Sequence, residues 1–260
     1  MNQGLFDPIP VVGIFLLLVL ISFLFYEIGF RLGVWWQARE PGEQEGPTDM
    51  LVGSLLGLMA FVLAITLGMA SDRFDARRGL VVEEANAILV AYQQADYLPP
   101  ADADELKGLL RQYLPLRVVD DVKEVPAHLV TSGKLAQQMW AIEASVVQTG
   151  YAPDLMSSLG DTLSEIGTVS ERRIVAGIYS RVPQTILFLL LAGTTLSLAM
   201  VGYSAGIKGR RSVLTAAVLI LVLGIVTTLV VDLDRPQEGF LTVSQQALLD
   251  VGRQIGATVP

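Results

Sequence analysis

Apolar residues are concentrated in four long blocks, about Ile9–Phe30, Met50–Ala70, Pro183–Gly202 and Ser212–Val231. Each block is close to the roughly 20 residues that cross the hydrocarbon core of a bilayer as a helix. Strands rarely exceed about 10 residues, so none of the blocks fits a strand of a soluble domain. The pattern predicts four transmembrane helices arranged as two hairpins.

The region between the second and third blocks also has a helical pattern. No proline occurs from Thr48 to Leu98, so the second span is expected to continue out of the bilayer as one helix. Further helices are predicted to open near Asp102, to cover His128–Thr149, and to cover Asp154–Arg181, which runs into the third span. We therefore expect an all-α membrane protein with an inserted extramembrane helical bundle that extends spans 2 and 3.

The predicted organisation has four parts. Residues 1–71 form the first transmembrane hairpin, and residues 72–182 form the extramembrane helical domain. Residues 183–231 form the second hairpin, and residues 232–260 are a C-terminal tail.

Composition agrees with a membrane protein and excludes several other classes. The chain is 52% hydrophobic and 17% charged, below the roughly 25% charged residues of soluble domains. It contains no cysteine, so disulfides and thiolate metal sites are excluded. A net charge of −8 gives no support to nucleic-acid binding. No sequence motif of nucleotide binding or hydrolysis is present, and we do not expect an enzyme.

The distribution of basic residues bears on orientation. The short loops carry Arg31, Arg39, Lys208, Arg210 and Arg211, whereas the tails carry only Arg235 and Arg253. The positive-inside rule then places the loops in the cytoplasm and favours an extracytoplasmic helical domain. The opposite arrangement is favoured by arginines near the span ends on the domain side, namely Arg73, Arg77, Arg78, Arg172, Arg173 and Arg181. The expected location is a prokaryotic inner or plasma membrane.

The second span has small residues on one helical face, at Gly53, Gly57, Ala60, Ala64 and Gly68. Their spacings of three and four residues align them along the helix. Small side chains let another backbone approach closely, so this face is a candidate for pore lining or for helix packing.

Charged residues follow the second span directly. In an oligomer with this helix around the axis, Arg73, Arg77 and Arg78 would form positive rings that attract anions at a pore mouth. The alternative is that these arginines pair with nearby carboxylates or with lipid phosphate.

A set of carboxylates could meet at the same side of the membrane: Asp72, Asp75, Glu83, Glu84, Asp232 and Asp234. Carboxylates from separate helices could hold calcium, which takes six to eight oxygen ligands. A salt-bridge network between the hairpins is the alternative, with Arg235 as one cation. Within the first span, Glu27 is expected to form an ion pair with Arg31, four residues further on.

Several segments resemble the bestrophin-like domain of integral membrane proteins. They are Phe74-Asp-Ala-Arg-Arg78, Val82-Glu-Glu-Ala-Asn-Ala-Ile88, Ala91-Tyr92, Leu98-Pro99, Glu171-Arg-Arg173, Arg181-Val-Pro183, Asp232-Leu-Asp-Arg-Pro236 and Gly239-Phe-Leu-Thr-Val-Ser244. The resemblance implies distant similarity to bestrophins, which are homo-oligomeric ion channels, mostly for anions. It also implies a pore lined by the second helix, a cytosolic helical domain, and calcium gating through acidic residues after the last span.

The sequence and the resemblance together predict a homo-oligomeric ion channel with a slight preference for anions. Its partners would be the lipid bilayer, small ions and further copies of the chain. Four spans enclose little space, so a pore is expected on a symmetry axis between subunits. The alternative is a membrane-anchored sensing or protein-interaction module that does not conduct.

Overall fold

The computed structural model describes residues 9–40, 45–118, 124–178, 182–235 and 239–259. The helices are α1 Val11–Arg39, α2 Glu45–Gln94, α3 Pro100–Tyr113, α4 Val125–Gln148, α5 Pro153–Ile178, α6 Gln184–Ile207, α7 Val213–Asp234 and α8 Gln246–Ile255. Short 3₁₀ turns occur at Ala95–Tyr97 and Leu114–Arg117. No strand occurs in these ranges, which confirms the all-α prediction.

Four helices are long and apolar enough to cross a membrane, as predicted. They are α1, the helical stretch Pro47–Tyr97 that contains most of α2, α6 and α7. Each contains an 18-residue window of high mean hydropathy with at most two charged residues. These helices carry most of the exposed large apolar side chains, which suits contact with lipid.

Residues 1–74 and 180–242 form one compact unit. In it, α1 packs chiefly against α6 and to a smaller extent against α7. The first part of α2 packs on α6 and α7 through Met59 and Leu63, which contact Leu190. The main partner of α1 is therefore distant in sequence, and the predicted pairing of the first two spans as a hairpin is not confirmed. The turn between them, residues 41–44, lies outside the described residues.

The contact between α1 and α6 is made by two pairs of glycines, each pair spaced by four residues. A Cβ added to Gly29 or Gly33 would overlap backbone of α6, and one added to Gly202 or Gly206 would overlap backbone of α1. Close approach of this kind is a common mode of helix association in membranes, because it maximises van der Waals contact. Small residues thus hold α1 against α6.

Residues 75–179 and 243–260 form a second compact unit. In it, α3 packs against α4, and α4 packs against α5. The fully buried side chains include Leu106, Leu110, Leu114, Leu159 and Leu248. Leu248 belongs to α8, which packs against the 3₁₀ turn at Leu114–Arg117. The residues from Val243 onward are therefore part of this helical unit.

The second and third spans differ in how they continue. Helix α2 runs without a break from Glu45 to Gln94, as predicted. By contrast, α5 ends at Ile178 and α6 begins at Gln184, after the non-helical residues Val182 and Pro183. Proline disfavours helical geometry for the residue before it, and Val182 is non-helical here. The prediction that a helix runs from Asp154 into the third span is therefore wrong, and residues 179–181 lie outside the described residues.

Candidate functional site

The small-residue face of α2 is exposed along its whole length. Gly53, Gly57, Ala60, Ala64 and Gly68 are all exposed, and a Cβ added to any of the three glycines would meet no atom within 4 Å. The other face of the same helix is buried at Met59, Leu63, Thr66 and Ala70. In the described part of the chain, this face of small residues is therefore uncovered. Its role as a pore-lining or packing face stays a prediction.

The charged residues that follow this face have different environments. Arg77 is buried, Arg73 is half-buried, and Arg78 is exposed, as are Asp72 and Asp75. Of the three arginines predicted at a pore mouth, Arg78 alone is exposed. Moreover, Gly68, Ser71, Asp75 and Arg78 continue the spacing of three and four residues.

The strongest ionic cluster of the helical unit surrounds Glu84, whose side chain is 0% exposed. Arg117 donates from Nε to Oε1 of Glu84 at 2.5 Å, and Arg173 donates from Nη1 to Oε2 at 2.6 Å. Arg173 also donates to the Arg117 carbonyl oxygen at 3.0 Å and to Oε1 of Gln245 at 3.2 Å. The cluster therefore joins the outer part of α2 to α5, to the 3₁₀ turn and to the segment before α8.

Two features of this cluster were not foreseen. Neither Arg117 nor Gln245 belongs to a recognisable sequence motif. Arg117 is, however, the single charged residue of the apolar segment Leu114–Val118, and this pattern is a signal for a buried ion pair. Tyr113 lies beside the cluster, with the Arg117 guanidinium 5.8 Å from its ring centre. Burial raises the pKa of Tyr113, and the positive charge of Arg117 opposes that shift.

The C-terminal helix is fixed at its end as well as through its apolar face. Arg111 Nε donates to the carbonyl oxygen of Ile255 at 2.8 Å, and Arg111 also contacts the Tyr92 hydroxyl. A cation at a helix C-terminus pairs with carbonyls that have no partner inside the helix. The helix ends at Gly256 with φ +72°, a left-handed geometry that glycine adopts without strain.

Asp232 and Asp234, at the end of α7, accept hydrogen bonds from backbone. Asp232 accepts from the backbone N–H groups of Phe240 and Leu241, each at 3.0 Å. Asp234 accepts from the backbone N–H of Val182 at 2.6 Å. Both carboxylates are buried. Their geometry fits loop capping, because each carboxylate satisfies N–H groups of a non-helical segment.

The acidic residues do not fit the calcium site that the family resemblance implies. Among the described residues, no three acidic or histidine side chains are grouped as a metal ion requires. Both oxygens of Asp232 and Oδ1 of Asp234 accept backbone hydrogen bonds, and both oxygens of Glu84 are bound by arginines. Asp72, Asp75 and Glu83 are exposed on α2.

A second ionic group lies where α1 meets the loop between α6 and α7. Glu27 pairs with Arg31 at 3.0 Å, as predicted, and also with Arg211 at 2.5 Å. In the same unit, Lys208 pairs with Asp49 at 2.5 Å, and the Ser204 hydroxyl donates to Asp49 at 2.8 Å. The loop charges are thus tied to the second half of α1 through Glu27 and to the start of α2 through Asp49.

Comparison with known proteins identifies a matching family model and solved structures of similar fold. A family model described as "Bestrophin-like domain" matches residues 23–248. No curated protein matches the sequence significantly. The fold is similar to that of a bacterial bestrophin homolog from Klebsiella pneumoniae, with TM-score 0.68 and 14% identity over 94% of this chain and 97% of that one. A variant of that homolog gives TM-score 0.64 and 16% identity over 94% and 99%.

Proposed function

The chain belongs to the bestrophin-like family, and from that membership we propose that it is a homo-oligomeric ion channel whose pore is lined by α2. The single observation that carries the proposal is the exposed face of small residues on α2. An apolar helix face that its own chain leaves uncovered is available to a symmetry axis. Small side chains there leave room for a lumen.

We include a slight preference for anions in the proposal. Arg78 is exposed and follows the spacing of the small residues, so copies of α2 around an axis would present a ring of guanidinium groups. Asp75 occupies the same face and reduces the net positive charge. The expected selectivity is therefore modest. Calcium gating is not part of the proposal, because the acidic residues are not grouped as a metal site.

Ion flux from liposomes that contain the purified oligomer tests the proposal, with chloride and potassium gradients run in parallel. We expect flux that favours chloride, and a loss of that preference in Arg78→Glu. Arg253→Glu is the matched control, because Arg253 is exposed on α8 and pairs with Asp250. Gly57→Leu should reduce flux of both ions by filling the lumen. Absence of flux from assembled protein would overturn the proposal.

The alternative, a membrane-anchored interaction module, is supported by one surface of the helical unit. Trp140 and Val147 lie two turns apart on α4 and are 41% and 47% exposed. Exposed aromatic side chains are enriched in protein interfaces. An assembled protein that conducts neither ion, and that loses a stoichiometric partner in Trp140→Ser, would favour this alternative.

We further propose that the helical unit lies outside the cytoplasm, on the distribution of basic loop residues. The chain has no cysteine, so single cysteines can be labelled without background. Ser157 on α5 and Ser212 before α7 are both exposed. In intact cells, a membrane-impermeant thiol reagent should modify Ser157→Cys and spare Ser212→Cys. The reverse pattern would place the helical unit in the cytoplasm.

A further inference from the structure

An excess of positive charge surrounds Glu27 in the second half of α1. Its carboxylate is shared by two arginines, Arg31 through Oε1 and Arg211 through Oε2. One carboxylate balances one guanidinium, so the group of three carries a net charge of +1. The side chain of Glu27 is 19% exposed, whereas those of Arg31 and Arg211 are 79% and 46% exposed. The unbalanced charge therefore faces outward.

Aromatic residues indicate the depth of this group in a bilayer. Trp35 and Trp36 follow Arg31 by about one turn of α1, and both indoles are exposed. Tryptophan side chains are enriched at the level of the lipid headgroups. The guanidinium of Arg39 lies 3.9 Å from the centre of the Trp35 ring, which adds a further cation at the same level.

Exposed apolar side chains lie on both sides of Arg31 along α1. Ile28 and Leu32 are 51% and 52% exposed, and they flank Arg31 on α1 at positions three residues before and one after it. A guanidinium next to exposed aliphatic side chains matches a lipid, which has a phosphate at one end and acyl chains at the other. A soluble anion would use only the first of these features.

We propose that Arg31 and Arg211, held around Glu27, bind the phosphate of an anionic phospholipid. Guanidinium groups bind phosphate through paired N–H donors, and Nη1 and Nη2 of Arg31 are not used by Glu27. An anionic lipid is preferred over a zwitterionic one because only the former carries a net charge that matches the excess. This inference does not depend on whether the protein conducts ions.

Quenching of tryptophan fluorescence by brominated phospholipids measures the preference directly. The full chain carries Trp140→Phe, so that Trp35 and Trp36 are the only tryptophans, and they are excited selectively over tyrosine. It is reconstituted in vesicles that contain brominated phosphatidylglycerol or brominated phosphatidylcholine. Binding of phosphatidylglycerol should be favoured by about fivefold over phosphatidylcholine, the effect of one basic residue near a membrane surface.

Two substitutions should change this preference in opposite directions. Arg31→Gln removes the unbalanced charge and leaves Glu27 paired with Arg211, so the preference should fall to near one. Glu27→Gln leaves both arginines without a carboxylate, so the preference should rise several-fold. Arg211→Gln should lower the preference for phosphatidylglycerol in the same way as Arg31→Gln. Arg253→Gln is the matched control on α8, and it should keep the original preference.

A general disturbance of the fold would change the lipid preference of Arg31→Gln and Glu27→Gln in the same direction, and that outcome would overturn the proposal. An unchanged preference in Arg31→Gln and Arg211→Gln would do so as well. Inorganic phosphate added at millimolar concentration separates the two sources of the anion. If it abolishes the preference for phosphatidylglycerol, the group is a site for soluble anions, and the assignment to lipid is wrong.

Discussion

Arg173 donates a 2.6 Å hydrogen bond to Glu84, although 89 residues separate the two in sequence. The contact joins α5 to the outer part of α2 through a carboxylate that no solvent reaches. Arg117 occupies the other oxygen of the same carboxylate. In a channel with α2 around the pore, this cluster fixes the helix to the rest of its own helical unit.

Replacement of Glu84 by glutamine should destabilise the helical unit strongly. The buried guanidinium of Arg117 and the half-buried one of Arg173 would lose the carboxylate that they share, which costs about 3 kcal/mol. The measurement is denaturant unfolding in detergent, followed by fluorescence of Trp140 in a Trp35→Phe, Trp36→Phe background. Glu83→Gln is the matched control, because Glu83 is exposed and should change the free energy of unfolding by less than about 0.5 kcal/mol. Equal effects of the two substitutions would contradict the role assigned to Glu84.

Replacement of Gly202 by alanine should weaken the membrane bundle. The added methyl would overlap the backbone of α1 at Tyr26, and such overpacking costs about 1–3 kcal/mol. Gly57→Ala should be neutral or stabilising by about 0.5 kcal/mol, because its Cβ would meet no atom and alanine favours a helix. Thermal unfolding in detergent distinguishes the two. A lower midpoint for Gly57→Ala than for Gly202→Ala would show that α2, not α1, makes the close contact.

The stability of the helical unit should fall at high pH because of Tyr113. Burial raises the pKa of its phenol, so the unfolded chain loses this proton at a lower pH than the folded one. Stability is then complete below about pH 10 and decreases as pH rises toward the folded pKa, by up to about 1.4 kcal/mol per pH unit. Tyr113→Phe should remove this component between pH 9 and 11, whereas Tyr97→Phe, at an exposed site, should keep it. Identical pH profiles for wild type and Tyr113→Phe would refute the assignment.

Asp232 should slow hydrogen exchange at the backbone amides that donate hydrogen bonds to it. In Asp232→Asn, hydrogen exchange at Phe240 and Leu241 should accelerate about tenfold, because a charged acceptor contributes roughly 1.5 kcal/mol. Exchange at the same amides in Asp250→Asn, a change at an exposed position of α8, should stay at the wild-type rate. No acceleration in Asp232→Asn would mean that other groups hold this loop.

If the acidic residues at the end of α7 bound calcium, a different result would be expected. If the carboxylates of Asp232 and Asp234 held calcium, a chelator would accelerate exchange at Phe240 and Leu241 in the wild-type protein. We expect no effect of the chelator, because backbone N–H groups donate to both oxygens of Asp232 and to Oδ1 of Asp234. Asp234→Asn should accordingly lower the stability of the protein without changing any response to calcium.

The sequence predicted the four spans and most of the other helices, but not the break between α5 and α6 or the packing partners of the spans. Length and hydropathy located the four spans, because a bilayer demands long apolar helices of any chain that crosses it. They carried no information on the pairing of α1 with α6. The glycine pairs at Gly29 and Gly33 and at Gly202 and Gly206 were a readable signal for this contact. The small residues of α2 have the same spacing, yet their chain leaves them exposed.

The sequence identified several charged residues of the candidate site, but it did not predict which of them contact one another. Glu84 and Arg173 belonged to the predicted acidic and basic sets. From sequence alone, however, the exposed Glu83 was as good a candidate for the buried ion pair as Glu84. A helix turns by about 100° per residue, so neighbours face different surroundings, and only packing decides which one is buried. Arg77 and Arg78 show the same division, since the first is buried and the second is exposed.

The contact between α1 and α6 has a consequence for biosynthesis. Glu27 and Arg211 are 184 residues apart, so at 5–20 residues per second roughly 10 to 40 s of translation separate the first span from its partner. During that interval α1 resides in the bilayer with its glycine face open to lipid. Two factors would therefore affect this nascent intermediate before α1 can pack against α6. They are protection of α1 by the insertion machinery and the rate at which the later spans are inserted.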